Sequence, residues 1–220
     1  MATDNTIDLA RLEAENAKLR AQLAATQHRV RNTLAVIRSI ARRSAETSES
    51  IEEYAAHLDG RIGAFARTQG ALLHDPDAGL ALDALVSNAL LSVVAREGER
   101  WTLDGPTVML TAKTAELMGL ALHELATNAV KFGAMFWPRG RIAVRWQLAE
   151  GAGGEPRLVL TWTETGAPEP TIAARRGFST EMLEKTLAYE MGAETTLDFT
   201  AEGVICRIAL PLHAVHPLMS

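Results

Sequence analysis

A single cysteine, Cys206, among 220 residues excludes a disulfide framework and any multi-cysteine zinc site. It lies in an alternating, strand-like stretch and reads as a small buried apolar residue. Aromatics are scarce at 5% while Ala and Leu are plentiful, which tilts the chain toward helix. No apolar run approaches the roughly 18–20 residues of a membrane span. The N-terminus has no basic stretch followed by an apolar core, so it does not read as a secretory signal. An excess of basic charge is also missing. The net charge is −5, which argues against a general nucleic-acid binder, because neutralising phosphates needs a basic surface. What remains is an ordinary globular composition, 47% hydrophobic and 22% charged, long enough for one to two domains. A protein of a reducing compartment, most simply the cytoplasm, is expected.

The charge is unevenly spread. From Met1 to His74, 10 Lys and Arg stand against 9 Asp and Glu; over the remainder the balance is 12 against 18. Arg29, Arg31, Arg38, Arg42 and Arg43 fall in a stretch without an acid from His28 to Ala45. They are either a solvated helix face or a docking face for an acidic partner or a phosphate.

Glycine and proline are absent from about Thr6 to Ala45. Leu9, Asn16, Leu23, Val30 and Ile37 take heptad position a, and Leu12, Leu19, Thr26, Thr33 and Ile40 take position d. The pattern predicts a long helix with a coiled-coil seam, where Asn16 would fix register and favour two strands. His28 falls at position f, away from the seam. After the polar break Glu46–Ser50, a second helical pattern runs from Ile51 to Leu73. Two helices joined so closely predict an antiparallel hairpin, and two hairpins a four-helix bundle on dimerisation. Residues 74–79 read as a linker.

Beyond it the pattern changes. Leu80–Ala95 and Ala112–Met135 read as helices. Trp101–Thr111 reads as two short strands about the turn Asp104–Pro106. Arg141–Gln147 and Arg157–Trp162 read as paired strands across Gly151–Gly154. Thr180–Met191 reads as a helix, and Thr195–Phe199 with Val204–Leu210 as a hairpin. The fold class is therefore α+β: a helical hairpin in a domain over 1–74, then a two-layer α/β sandwich over 79–215.

Three segments carry chemistry. In Leu120–Gly133, Glu124 and Asn128 share a helix face flanked by His123 and Lys131. Mid-helix asparagine carries a propensity cost. An Asn amide oxygen can ligate Mg²⁺, and Lys131 can meet a phosphate; the plain alternative is a buried hydrogen-bonded pair. In Leu158–Pro168 a strand ends in Glu164 and turns at Gly166. A carboxylate there can accept from an exocyclic amine such as that of adenine, and Gly166 lets backbone approach a flat base. In Arg175–Thr180, a glycine turn at Gly177 feeds a helix start beside Arg175 and Arg176, which suits an anion.

Together these residues resemble the HWE family of sensor histidine kinases, within the wider group of Bergerat-fold ATPases. The resemblance rests on His123, on Trp162 and Glu164 of the Trp-x-Glu strand end, and on His28-Arg-Val-Arg-Asn-Thr-Leu-Ala, which is similar to the family's phosphoacceptor segment. It departs at Ser179 and Ala167, where the family usually has glycine. The resemblance implies that His28 accepts a phosphoryl group from ATP with Mg²⁺ and passes it to an aspartate of a response-regulator receiver domain. It implies that Asn128 holds Mg²⁺ and that Glu124 and His123 support the chemistry. Lys131, Trp162, Glu164, Gly166, Arg175, Arg176, Gly177 and Thr180 would line the nucleotide site. A homodimer is expected. The alternatives are a phosphotransfer protein whose nucleotide domain no longer binds ATP, and a coiled-coil adaptor.

Overall fold

The computed structural model describes residues 2–72, 79–93, 100–151, 154–167 and 182–217. The chain divides into two compact units, Met1–Ser48 and Glu49–Ser220.

The first unit is one helix, α1 (Ala2–Thr47), of 46 residues. With no glycine or proline to interrupt it, it runs the length the heptads predict. Leu12, Leu19, Leu23 and Val30 of the expected seam are all exposed on the single chain.

The second unit opens with α2 (Ile51–Leu72). Ser50 Oγ accepts from Glu53 N at 3.1 Å, and Glu53 Oε2 accepts from Glu49 N at 2.8 Å. This near-reciprocal pair satisfies donors that a helix start leaves open. After the short strand β1 (Leu80–Ala81) come α3 (Leu82–Val93), β2 (Trp101–Asp104), β3 (Val108–Leu110) and α4 (Ala112–Lys131). A 3₁₀ turn, Ala134–Phe136, precedes β4 (Arg141–Glu150) and β5 (Pro156–Thr165). A π-helical turn, Met182–Thr186, runs into α5 (Leu187–Met191). The chain then forms β6 (Glu194–Thr200), β7 (Gly203–Pro211) and β8 (Val215–Pro217).

The strands make two sheets. The larger has the order β2-β4-β5-β7-β6, antiparallel except for the parallel β2–β4 pair. The smaller has the order β1-β3-β8. The turn Asp104–Pro106 does not make a hairpin, because it sends β2 and β3 to different sheets. Trp146 fixes this turn: its indole packs where a Cβ on Gly105 would stand, and its Nε1 donates to Pro106 O at 2.7 Å.

One face of the large sheet is apolar and buried: Ile142 and Val144 from β4, Leu158, Leu160 and Trp162 from β5, Cys206, Ile208 and Leu210 from β7. The opposite face carries Arg141, Arg145, Gln147 and Arg207, all exposed. This alternation is that of a sheet covered on one side by helices. Helix α4 packs between α2 and α3 and is buried nearly all round, down to Ala115, Gly119, Ala121 and Ala126. Small side chains let its neighbours approach. It ends at Lys131 rather than Met135, because Phe132 N and Gly133 N both turn back to Asn128 O at 2.8 and 2.9 Å. Among the described residues no helix is long and apolar enough to cross a membrane.

Candidate functional site

The turn after α4 meets the end of β5 at Glu164, while Glu124, His123 and Lys131 of α4 contact α2. On β5 the buried row Leu158, Leu160, Trp162 ends in Glu164, a carboxylate only 4% exposed. Residues two apart on a strand share a face, so the Trp162 indole lies over Glu164. Trp162 Nε1 donates to Glu164 Oε1 at 3.1 Å, and Ala134 N donates to Oε2 at 2.8 Å. Burial pushes the Glu164 carboxyl up from its ordinary value, and these two donors oppose that shift. A Cβ on Gly133 would stand 2.1 Å from Glu164 Oε2. Only glycine lets the carboxylate reach Ala134 N.

Gly166 has φ +79°, and a Cβ there would meet Arg139 O at 2.5 Å. Its close approach is thus to backbone of the 134–140 loop. That loop is also held by Arg100, whose guanidinium donates to Gly140 O at 3.0 Å and to Ala134 O at 3.3 Å. Trp162, expected among nucleotide contacts, is wholly buried and presents no face to a ligand. Its contact with the site is its N–H.

On α4, Glu124 is clasped from α2. Arg61 Nε donates to Oε1 at 2.8 Å and Nη2 to Oε2 at 3.2 Å, with both side chains buried. This is a two-pronged guanidinium–carboxylate pair. Two turns along α4, Lys131 Nζ donates to His57 Nε2 at 2.9 Å, which requires a neutral His57. Burial, and then the charge of Lys131, hold the His57 pKa below its ordinary value. At the other end of the contact Gln69 Nε2 donates to Glu116 Oε1 at 2.6 Å.

His123 is buried on the same helix, its Nε2 against Gly60, where a Cβ would stand 3.0 Å away. Its Nδ1 has no hydrogen-bond partner among the described residues. Desolvation holds its pKa low, so it too is a neutral imidazole. Asn128 lies half-buried one turn beyond Glu124.

In the first unit His28 is exposed on α1, and Asn32 Nδ2 sits 3.1 Å from its Nε2. Arg175, Arg176, Gly177 and Thr180 lie outside the described residues, as does Ser179. Sequence reasoning did not find Arg61, His57, Arg100 or Gly133. The first three act across long sequence separations. The helix end at Gly133 was the one local signal.

These side chains can be set against what the expected nucleotide and Mg²⁺ would need. Each Glu164 oxygen accepts one bond and keeps a second acceptor direction free, which suits an exocyclic amine. Among the described residues no group of three His, Cys, Asp or Glu could hold a metal by itself. Mg²⁺ commonly takes few protein oxygens beside phosphates and water, and an Asn amide oxygen such as that of Asn128 is a ligand of that type.

A family model described as HWE histidine kinase matches residues 26–107 of the chain. A blue-light-activated histidine kinase of Brucella ovis is 30% identical over 200 residues, which cover 91% of this chain and 40% of that protein. Blue-light-activated histidine kinase 1 of Erythrobacter litoralis is 32% identical over 216 residues, 94% of this chain and 58% of that protein. The chain thus spans about half the length of these relatives. Among solved structures, the Erythrobacter litoralis EL346 blue-light activated histidine kinase aligns with TM-score 0.52 at 24% identity, over 87% of this chain and 63% of that one. That likeness shows the fold.

Proposed function

The chain belongs to the HWE histidine kinase family, and from that premise we propose that it is an ATP-dependent kinase that phosphorylates its own His28. The phosphoryl group then passes to an aspartate of a response-regulator receiver domain. The observation that carries this reading is the His28–Asn32 pair. It presents His28 as an exposed imidazole on α1, held by a side chain one turn along the same helix. In the transfer, a bond forms between an imidazole nitrogen of His28 and the γ-phosphorus, and the bond from that phosphorus to the β–γ bridging oxygen breaks. ADP leaves, and the proton on the other ring nitrogen is lost to solvent.

Phosphoryl transfer needs little covalent help, so positioning and charge do most of the work. Glu164 would hold adenine, Asn128 would hold Mg²⁺, and Lys131, Arg175 and Arg176 would face phosphate. Bound Mg²⁺ would neutralise charge on the phosphates. Glu124 would support this group from within its pair with Arg61, and neutral His123 would pack beside it. Gly166, Gly177 and Thr180 would shape the backbone around the nucleotide. The protein would work in the cytoplasm as a homodimer.

One observation favours a second reading. Both Glu124 oxygens are engaged by Arg61, as suits a phosphotransfer protein that takes its phosphate from a partner. Incubation with γ-labelled ATP and Mg²⁺ separates the two. The kinase acquires an acid-labile, base-stable label that His28→Ala abolishes while ATP binding persists. Label retained on His28→Ala would overturn the assignment of His28. Label acquired only from a phosphorylated partner would favour the second reading.

A further inference from the structure

We propose that Trp162 is a positioning residue for nucleotide selectivity: its indole N–H, together with the Gly133–Ala134 backbone, fixes the Glu164 carboxylate in the one pose that reads an adenine-type amine. This rests on the reading of Glu164 as the base-binding group.

Glu164 ends a buried apolar row, where nothing but its partners decides where its oxygens point. Those partners come from opposite sides. Trp162 Nε1 holds Oε1 from within β5 at 3.1 Å, and Ala134 N holds Oε2 at 2.8 Å from the loop after α4. Trp162 is fully buried, so it cannot stack on a base. As packing alone, phenylalanine or leucine would suit the site, because a buried indole N–H is a cost unless it finds an acceptor. What tryptophan adds is the donor. With one bond on each oxygen, the carboxylate is fixed and still has one acceptor direction per oxygen. Adenine presents an amine at the position where guanine carries an oxo group, and an oxo oxygen facing a fixed carboxylate is repelled. A carboxylate free to rotate would discriminate less.

The neighbouring titratable group on β7 is the Cys206 thiol, which pairs across from Trp162 and is pushed up to about 12, so it stays neutral. On the loop side Arg100 is bound to Ala134 O at 3.3 Å, and Arg139 lies within the loop. None of these supplies the carboxylate with a substitute donor.

The test is calorimetric binding of ATP and GTP to the full chain and to two variants, each checked for folding by circular dichroism. Trp162→Phe keeps the ring and removes the donor. Gly133→Ala places a methyl against Oε2 and leaves Trp162 intact. Both are expected to lower ATP affinity about tenfold with little change for GTP, as loss of a charge-assisted contact predicts. In Trp162→Phe the pH below which ATP binding weakens should also move upward, because the charged carboxylate has lost a donor. A purely structural role would weaken both nucleotides alike and leave that midpoint in place. An unchanged ATP-to-GTP ratio in folded Trp162→Phe overturns the proposal. Should that variant not fold, an unchanged ratio in Gly133→Ala does so. Wild-type protein that binds neither nucleotide overturns the reading of the whole site, and this proposal with it.

Discussion

At the scale of single residues, the Arg61–Glu124 pair is the feature with the largest energetic leverage. Both side chains are buried, and their donor and acceptor atoms meet at 2.8 and 3.2 Å. Such a pair adds little net stability over a well-packed apolar pair, because desolvation of two ions offsets their attraction. Removing one partner is costly, because the other is left charged and buried. Arg61→Ala is therefore expected to lower unfolding free energy by about 3–5 kcal/mol, measured by urea denaturation. The double variant Arg61→Met, Glu124→Leu should recover most of that loss. Equal destabilisation by the single and double variants would mean that packing, not charge, makes this contact. Because Glu124 also belongs to the proposed nucleotide site, the double variant should be stable and inactive, which separates folding from function in one molecule.

At the scale of elements, the contact between α2 and α4 contains two imidazoles kept neutral, His57 and His123, both with lowered pKa through burial first. The unfolded chain takes up protons at both below about pH 6.5, the ordinary histidine value, while the folded chain does so only at lower pH. Their contribution to stability is thus complete above about pH 6.5 and is lost progressively as pH falls from there through their lower folded values. Melting scans across pH 5 to 8 should show wild-type stability declining below pH 6.5, with a shallower decline in His57→Gln. Identical profiles would mean that His57 does not stay neutral in the fold. The raised Glu164 carboxyl acts in the opposite sense, since its contribution is lost as pH rises through its folded value; comparing profiles between variants removes it. This contact also marks where the sequence stopped being legible. Glu124 and Asn128 could be singled out because helical spacing puts them on one face, with Lys131 flanking it, Glu164 because it ends a strand before a glycine turn, and Trp162 by family resemblance. Their partners could not be found that way: Arg61 lies 63 residues before Glu124, and His57 lies 74 before Lys131. The same limit hid the destination of β2, whose parallel pairing with β4 depends on a register some 40 residues away. The long helix and the β4–β5 and β6–β7 pairs were readable, because their signals are periodicity and turns within a few residues.

At the scale of the whole molecule, α1 sets the question of assembly. It carries Leu12, Leu19, Leu23 and Val30, each 52–62% exposed on the single chain. A stripe of that length facing water is unfavourable, and its 3,4 spacing is that of a coiled-coil seam. A parallel homodimer would cover it, with Asn16 pairing across the axis to fix register. His28, at position f, would stay on the outside of such a dimer, within reach of a receiver domain. The acid-free stretch carrying Arg29, Arg31, Arg38, Arg42 and Arg43 would then surround the point where a receiver's acidic pocket docks. Light scattering should show mass rising with concentration from one chain toward two, and Leu19→Asp with Leu23→Asp should hold the protein at one chain. A concentration-independent single-chain mass for the wild type would rule the dimer out. Transfer from phosphorylated His28 to a receiver should slow as salt rises, because complementary charge speeds encounter only while it is unscreened. Replacing Arg38, Arg42 and Arg43 with glutamine should slow transfer at low salt and flatten that dependence, without altering autophosphorylation of His28. If transfer by the wild type is already insensitive to salt, the arginines serve only to keep a long helix solvated, and receiver docking relies on other contacts.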